Sequence, residues 1–170
     1  MERLEQTGET HIINGETVKA RKLTNNKWFE TQDSISYWDD FSKPKILWKR
    51  IGSLLRFCYD DNLALGLDST CFATGRNIEY ICCVLNSPMG HYLLKDAPKT
   101  GTGDLLISVQ AIIPIMVPII SNNINSIFSK ALKLLINDKN TDIEKEISHR
   151  IFDLYGLSTE EQLYIIENFS

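Results

Sequence analysis

The sequence predicts a mixed α/β (α+β) fold, a compact twisted-sheet domain with a helical C-terminal extension. Three observations predict it. Short apolar runs bounded by Gly, Asp and Asn turns occupy the middle of the chain, from Ile46–Trp48 to Ile115–Val117. Helical periodicity takes over after residue 120, with capping signals at its breaks. The 170 residues are 43% apolar and 24% charged, an ordinary globular balance in a chain long enough to bury a core without staples.

The elements follow in order. Residues 1–26 read as a polar lead-in with little apolar period, and ordered structure is expected to begin near Trp28. Asp39-Asp40 reads as a turn. Ile46–Trp48 reads as a buried strand, Gly52-Ser53 as a turn, and Leu54–Tyr59 as a second strand. Asp60-Asp61-Asn62 closes it, because short polar side chains hydrogen-bond their own backbone. Thr70–Thr74 is strand-like and Gly75 stops it. Asn77 is placed to cap the helix IEYICCVLN, in which Ile78, Ile81, Cys82 and Leu85 share a face. Ser87-Pro88 opens a second helix, with serine at the N-cap and proline where no amide partner is needed. KTGTGD is a glycine-containing loop. In LLISVQAIIPIMVPII, strands are expected at Leu105–Ile107 and Ile115–Val117, with a turn at Ser108–Gln110. This completes a compact mixed α/β unit over residues 27–120.

Residues 121–170 read as the extension. Ile124, Ile127, Phe128, Ala131, Leu134 and Leu135 form one stripe. Thr141-x-x-Glu144 and Ser158-x-x-Glu161 both have the capping-box pattern, and Gly156 suits a left-handed helix end. The apolar stripes fit internal packing, or a protein-contact face.

Composition excludes several classes. The four cysteines form no C-x-x-C pair and histidines number three, so the ligands of a zinc site are missing. Cys71, Cys82 and Cys83 sit among apolar neighbours and read as reduced structural thiols, which fits a cytoplasmic location. The polar N-terminus MERLEQTGETHIINGET is no signal peptide. The apolar run Leu105–Ile120 is short for a membrane span and holds Gln110, Pro114 and Pro118, so no membrane partner is expected. Nucleotide-binding glycine loops, a serine-hydrolase elbow and H-E-x-x-H are all absent. Asp142, Glu144 and Lys145 have the residue types of a nuclease site, but they open a helix, whereas metal sites draw acids from separate elements.

Charge is unevenly spread. The chain has net charge -4, yet eight acids and three bases follow residue 137, leaving 14 acids and 15 bases before it. No acid interrupts Ser42–Tyr59, where Lys43, Lys45, Lys49, Arg50 and Arg56 gather. Such cations solvate strand ends. They also suit phosphates, whose neutralisation releases counterions. Arg76 has the fork that reads guanine, or caps a helix, or holds a carboxylate. Lys99, Thr100 and Thr102 offer a cation and hydroxyls suited to phosphate, on what is otherwise an ordinary mobile loop.

Four pieces occur in a familiar order: F-S-K-P-K-I-L-W, then ATG followed by YICCVLNS, then I-P-I-M-V-P, then L-Y-G-L-S-T-E-E. Over about residues 28–170 the chain resembles the C-terminal specificity domain of TaqI-like adenine-specific DNA methyltransferases and of fused restriction-modification enzymes. More distantly, it resembles target-recognition domains of type I specificity subunits. The resemblance implies a non-catalytic recognition module that binds double-stranded DNA. Its partner is a methyltransferase or endonuclease domain, in cis or in trans. That N-terminal catalytic domain, absent from this chain, binds S-adenosylmethionine and flips the adenine; no cofactor is expected in this chain. Lys43, Lys45, Lys49, Arg50 and Arg56 are then the candidates for backbone grip, and Arg76 with the Lys99–Thr102 loop for base or phosphate contacts. The alternatives are half of a type I specificity subunit, a small stand-alone nuclease, or a protein-interaction module.

Overall fold

The computed structural model describes residues 10–19 and 36–170. The expected start of order near Trp28 lies outside them. The chain divides into two compact units, residues 1–39 and 40–170.

In the first unit, β1 (Thr10–Ile13) and β2 (Glu16–Lys19) form an antiparallel hairpin. Asn14 and Gly15 turn it with φ of 53° and 83°. Positive φ at both turn positions matches the right-handed strand twist and is cheap for Asn-Gly. Apolar period does not reveal this turn; the Asn14-Gly15 pair is its signal in the polar lead-in.

The second unit begins with a 3₁₀ turn within Trp38–Ser42 and a three-stranded antiparallel sheet. Its centre is β3 (Lys45–Lys49), paired on one side with β5 (Phe57–Asp60) and on the other with β6 (Thr70–Thr74). The two-residue β4 (Ile51–Gly52) leaves the sheet to pair with β7 (Leu105–Leu106). The expected second strand therefore starts later, at Phe57. Ile46 and Trp48 alternate onto the core face and are buried. Trp48 donates its indole N–H to the Ile107 carbonyl at 2.8 Å, tying the two sheets together.

Helix α1 (Ile78–Asn86) packs on the sheet through a side chain that imitates a strand. Asn86 accepts from the Phe57 amide at 3.0 Å and donates to the Phe57 carbonyl at 2.7 Å, so the edge of β5 is satisfied. Asn77 stands at the N-cap position with φ of 54°, but its side chain makes no capping bond. Helix α2 (Pro88–Leu93) starts as expected, with the Ser87 hydroxyl accepting from the Gly90 amide at 3.3 Å. Here α1 and α2 press together: a Cβ on Gly90 would stand 2.3 Å from the Val84 carbonyl. Glycine is required at that contact.

The run after β7 departs from its reading. Ser108–Gln110 opens a short helix, α3 (Val109–Ile112), rather than a turn. Ile115–Val117 joins no sheet, and Ile113, Met116 and Ile119 are exposed. Pro114 and Pro118 lack the amides that a ladder needs.

Helices α4 (Asn122–Asn137), α5 (Thr141–Tyr155) and α6 (Thr159–Phe169) share the second unit with the sheet. Phe128 of α4 packs at a tilt against Tyr80 of α1, ring centres 4.9 Å apart. Ile147, Ile151 and Phe152 of α5 and Ile165 of α6 complete one core with Ile78, Val84 and Leu85. The residues read as an extension thus bury the same apolar surface as the sheet. Asn140, not Thr141, caps α5, accepting from the Asp142 and Ile143 amides at 3.0 and 3.2 Å. The Ser158–Glu161 box and the left-handed Gly156 form as read.

Candidate functional site

The cationic stretch divides in two along β3. Lys49 ends that strand opposite Thr70, Arg50 follows it, and Arg56 precedes Phe57, which pairs with Trp48. Lys49, Leu54 and Arg56 border one shallow depression floored by Trp48, Phe57 and Ile107. Arg50 holds its place through the backbone, its amide donating to the Ser69 carbonyl and its carbonyl accepting from the Ile107 amide. All three side chains are exposed, and none lies within ion-pairing distance of a carboxylate among the described residues.

Lys45 is corrected: it is not a surface cation. Its side chain is fully buried, donating to the Phe41 carbonyl at 3.0 Å and pairing with Asp60 at 2.6 Å. Phe41, with its ring 4.9 Å from that of Phe72, belongs to the segment covering this end of the sheet. Burial alone pushes the Asp60 carboxyl up. The Lys45 bond and the Ala64 and Asn62 amides outweigh burial and hold it below its usual range. A cation committed to this pair is withdrawn from any phosphate.

Lys43 is exposed but bonds Asp40 at 2.6 Å. Arg76 is exposed two residues beyond Thr74, which stands opposite Lys45. It therefore belongs to the far end of β3 from Lys49, about 13 Å away along the strand. The Lys99–Thr102 loop lies on the small sheet, where Lys99 bridges Leu105. Its hydroxyls are turned on each other and on a carboxylate. Thr100 and Thr102 share a bond of 2.8 Å, Thr102 donates to Asp104 at 3.1 Å, and the Asp104 amide donates to Thr100. An anion approaching this loop meets Asp104, which the sequence reading had left out.

The sequence reading also missed a cavity of about 610 Å³ walled by α1, α2, α4, α5 and α6. The signal available was an excess of apolar residues at the end of α4, where Leu134 and Ile136 are exposed and Leu135 is half-buried. Beside the cavity His91 bonds the Phe169 carbonyl at 2.9 Å, fastening α2 to α6. Burial pushes the Cys82 and Cys83 thiols up to about 12, so both are neutral at physiological pH.

Among the described residues, no three His, Cys, Asp or Glu side chains gather to hold a metal ion. No helix among them is long and apolar enough to cross a membrane. No protein-family model matches the chain, and no curated protein matches it.

Proposed function

We propose that the chain is a non-catalytic recognition domain for double-stranded DNA, the specificity module of an adenine methyltransferase or fused restriction-modification enzyme. The observation that carries this reading is the group Lys49, Arg50 and Arg56. Three exposed cations without carboxylate partners among the described residues stand at one end of β3, in a chain whose net charge is -4. Fixed by strand pairing, they offer phosphates a positive edge. The rigid backbone beneath them supports the same reading, because Lys49 sits in the sheet ladder and Arg50 is bonded on both sides. Arg76, at the other end, serves as a second contact on a duplex long enough to reach both. S-adenosylmethionine chemistry belongs to a separate catalytic domain, since this chain has neither a glycine-rich cofactor loop nor an N-P-P-Y/F motif. Cytoplasmic location follows from that role.

Fluorescence anisotropy with a labelled duplex tests the reading. With three phosphates neutralised, log K falls with log salt at a slope of about -2.7, so affinity drops about fortyfold between 50 and 200 mM salt. Lys49→Glu with Arg50→Glu reduces that slope by about two and weakens binding at low salt. Affinity that is flat with salt, or unchanged in the double variant, overturns the assignment.

A further inference from the structure

The cavity between the helices is a cleft open to solvent on one side, where Ile136, Glu144 and Lys145 are exposed. At about 610 Å³ it falls within the roughly 300–1,000 Å³ range of pockets that hold small molecules. We propose that it is a binding site for an elongated apolar molecule with one anionic head, such as a medium-chain carboxylate, independent of any DNA binding.

The walls set the body of the ligand. Leu132, Leu135, Ile147, Ile166 and Phe169 supply apolar surface from three helices. The deep polar groups are already engaged. Asn86 bonds Phe57 and the Cys82 carbonyl, and the Ser87 hydroxyl bonds the Val84 carbonyl at 2.7 Å. Cys82 and Cys83 direct their thiols at the Phe57 and Phe128 carbonyls. A polar body would leave its own groups unpaired against such a surface. An alkyl chain leaves none.

The first turns of α5 set the head. Thr141, Glu144, Lys145 and His149 reach the cavity from that helix. Glu144 sits in the first turn, where negative charge already suits the positive helix end. Lys145 has no carboxylate within ion-pairing distance among the described residues, although it is next in sequence to Glu144. It is the cation at this cavity left without a role, whereas His149 beside it is engaged with the Gln162 amide oxygen at 3.5 Å.

Isothermal titration of the full chain with octanoate, decanoate and dodecanoate, below their micellar concentrations, tests the site. One molecule binds per chain, and affinity rises about fourfold for each added methylene. Leu135→Trp and Ile136→Trp each fill the cavity and remove the titration, and circular dichroism verifies that each variant is folded. The exposed Ile136 keeps the test open should Leu135→Trp fail to fold. Lys145→Ala weakens dodecanoate at least about tenfold and leaves dodecanol unchanged. The inference is overturned by absence of saturable binding, by no gain with chain length, or by binding that survives the filled cavity. Preference for dodecylamine over dodecanoate overturns the anionic head.

Discussion

Lys45→Met removes the ammonium facing Asp60 and keeps most of the side chain's length. The two groups stand 2.6 Å apart, with Lys45 fully buried and Asp60 10% exposed. Without the cation, Asp60 retains bonds from the Asn62 and Ala64 amides and an unbalanced charge. Breaking one side of a buried pair costs about 3–5 kcal/mol. Proton uptake sets a ceiling, because neutralising a carboxyl of ordinary pKa costs about 4 kcal/mol at pH 7. The expected loss is therefore about 3–4 kcal/mol at pH 7, measured by urea unfolding with tryptophan fluorescence. The pH dependence gives the sign. In the native protein the Asp60 carboxyl lies below its usual range, so its contribution is present above about pH 4 and lost as pH falls through the folded value. In Lys45→Met the stranded carboxyl favours its proton, so the gap between the two proteins narrows as pH falls from 7 toward about 4. A loss below about 1 kcal/mol, which is what a solvent-exposed pair is worth, refutes the reasoning. So does a gap that stays constant over that pH range.

Three further outcomes follow from the same packing. Asn86→Ala strands the Phe57 amide and carbonyl at the edge of β5 and costs about 2–3 kcal/mol by urea unfolding; a loss under about 0.5 kcal/mol means that water replaces the amide. The Tyr80 hydroxyl is buried without a partner among the described residues, so Tyr80→Phe is neutral or raises stability by up to about 1 kcal/mol. A clear loss on that substitution reveals a hidden bond. In a timed iodoacetamide pulse the exposed Cys58 is labelled while Cys82 and Cys83, neutral and buried, are spared until unfolding; mass spectrometry of the folded protein shows whether either buried thiol reacts early.

What the sequence determined by itself was local. Thr70–Thr74, the Ser87-Pro88 helix start, the Ser158–Glu161 box and the left-handed Gly156 were all legible. Each depends on backbone groups within a turn or on the residue types of one short run, and neighbours in sequence supply both. The missed cap at Asn140 is a one-residue shift of the same kind of signal. Tertiary structure decided the rest. Lys45 and Lys49 look alike in KPKILWK, yet one is buried against Asp60 and the other is exposed. The segments that separate them, Phe41 and the turn after Asp60, cover one end of β3 only. The Leu134–Ile136 stretch has the composition of core, but its helix faces a cavity and solvent. Periodicity states which residues share a face; what lies over that face is set by segments far along the chain, through contacts that no local pattern encodes.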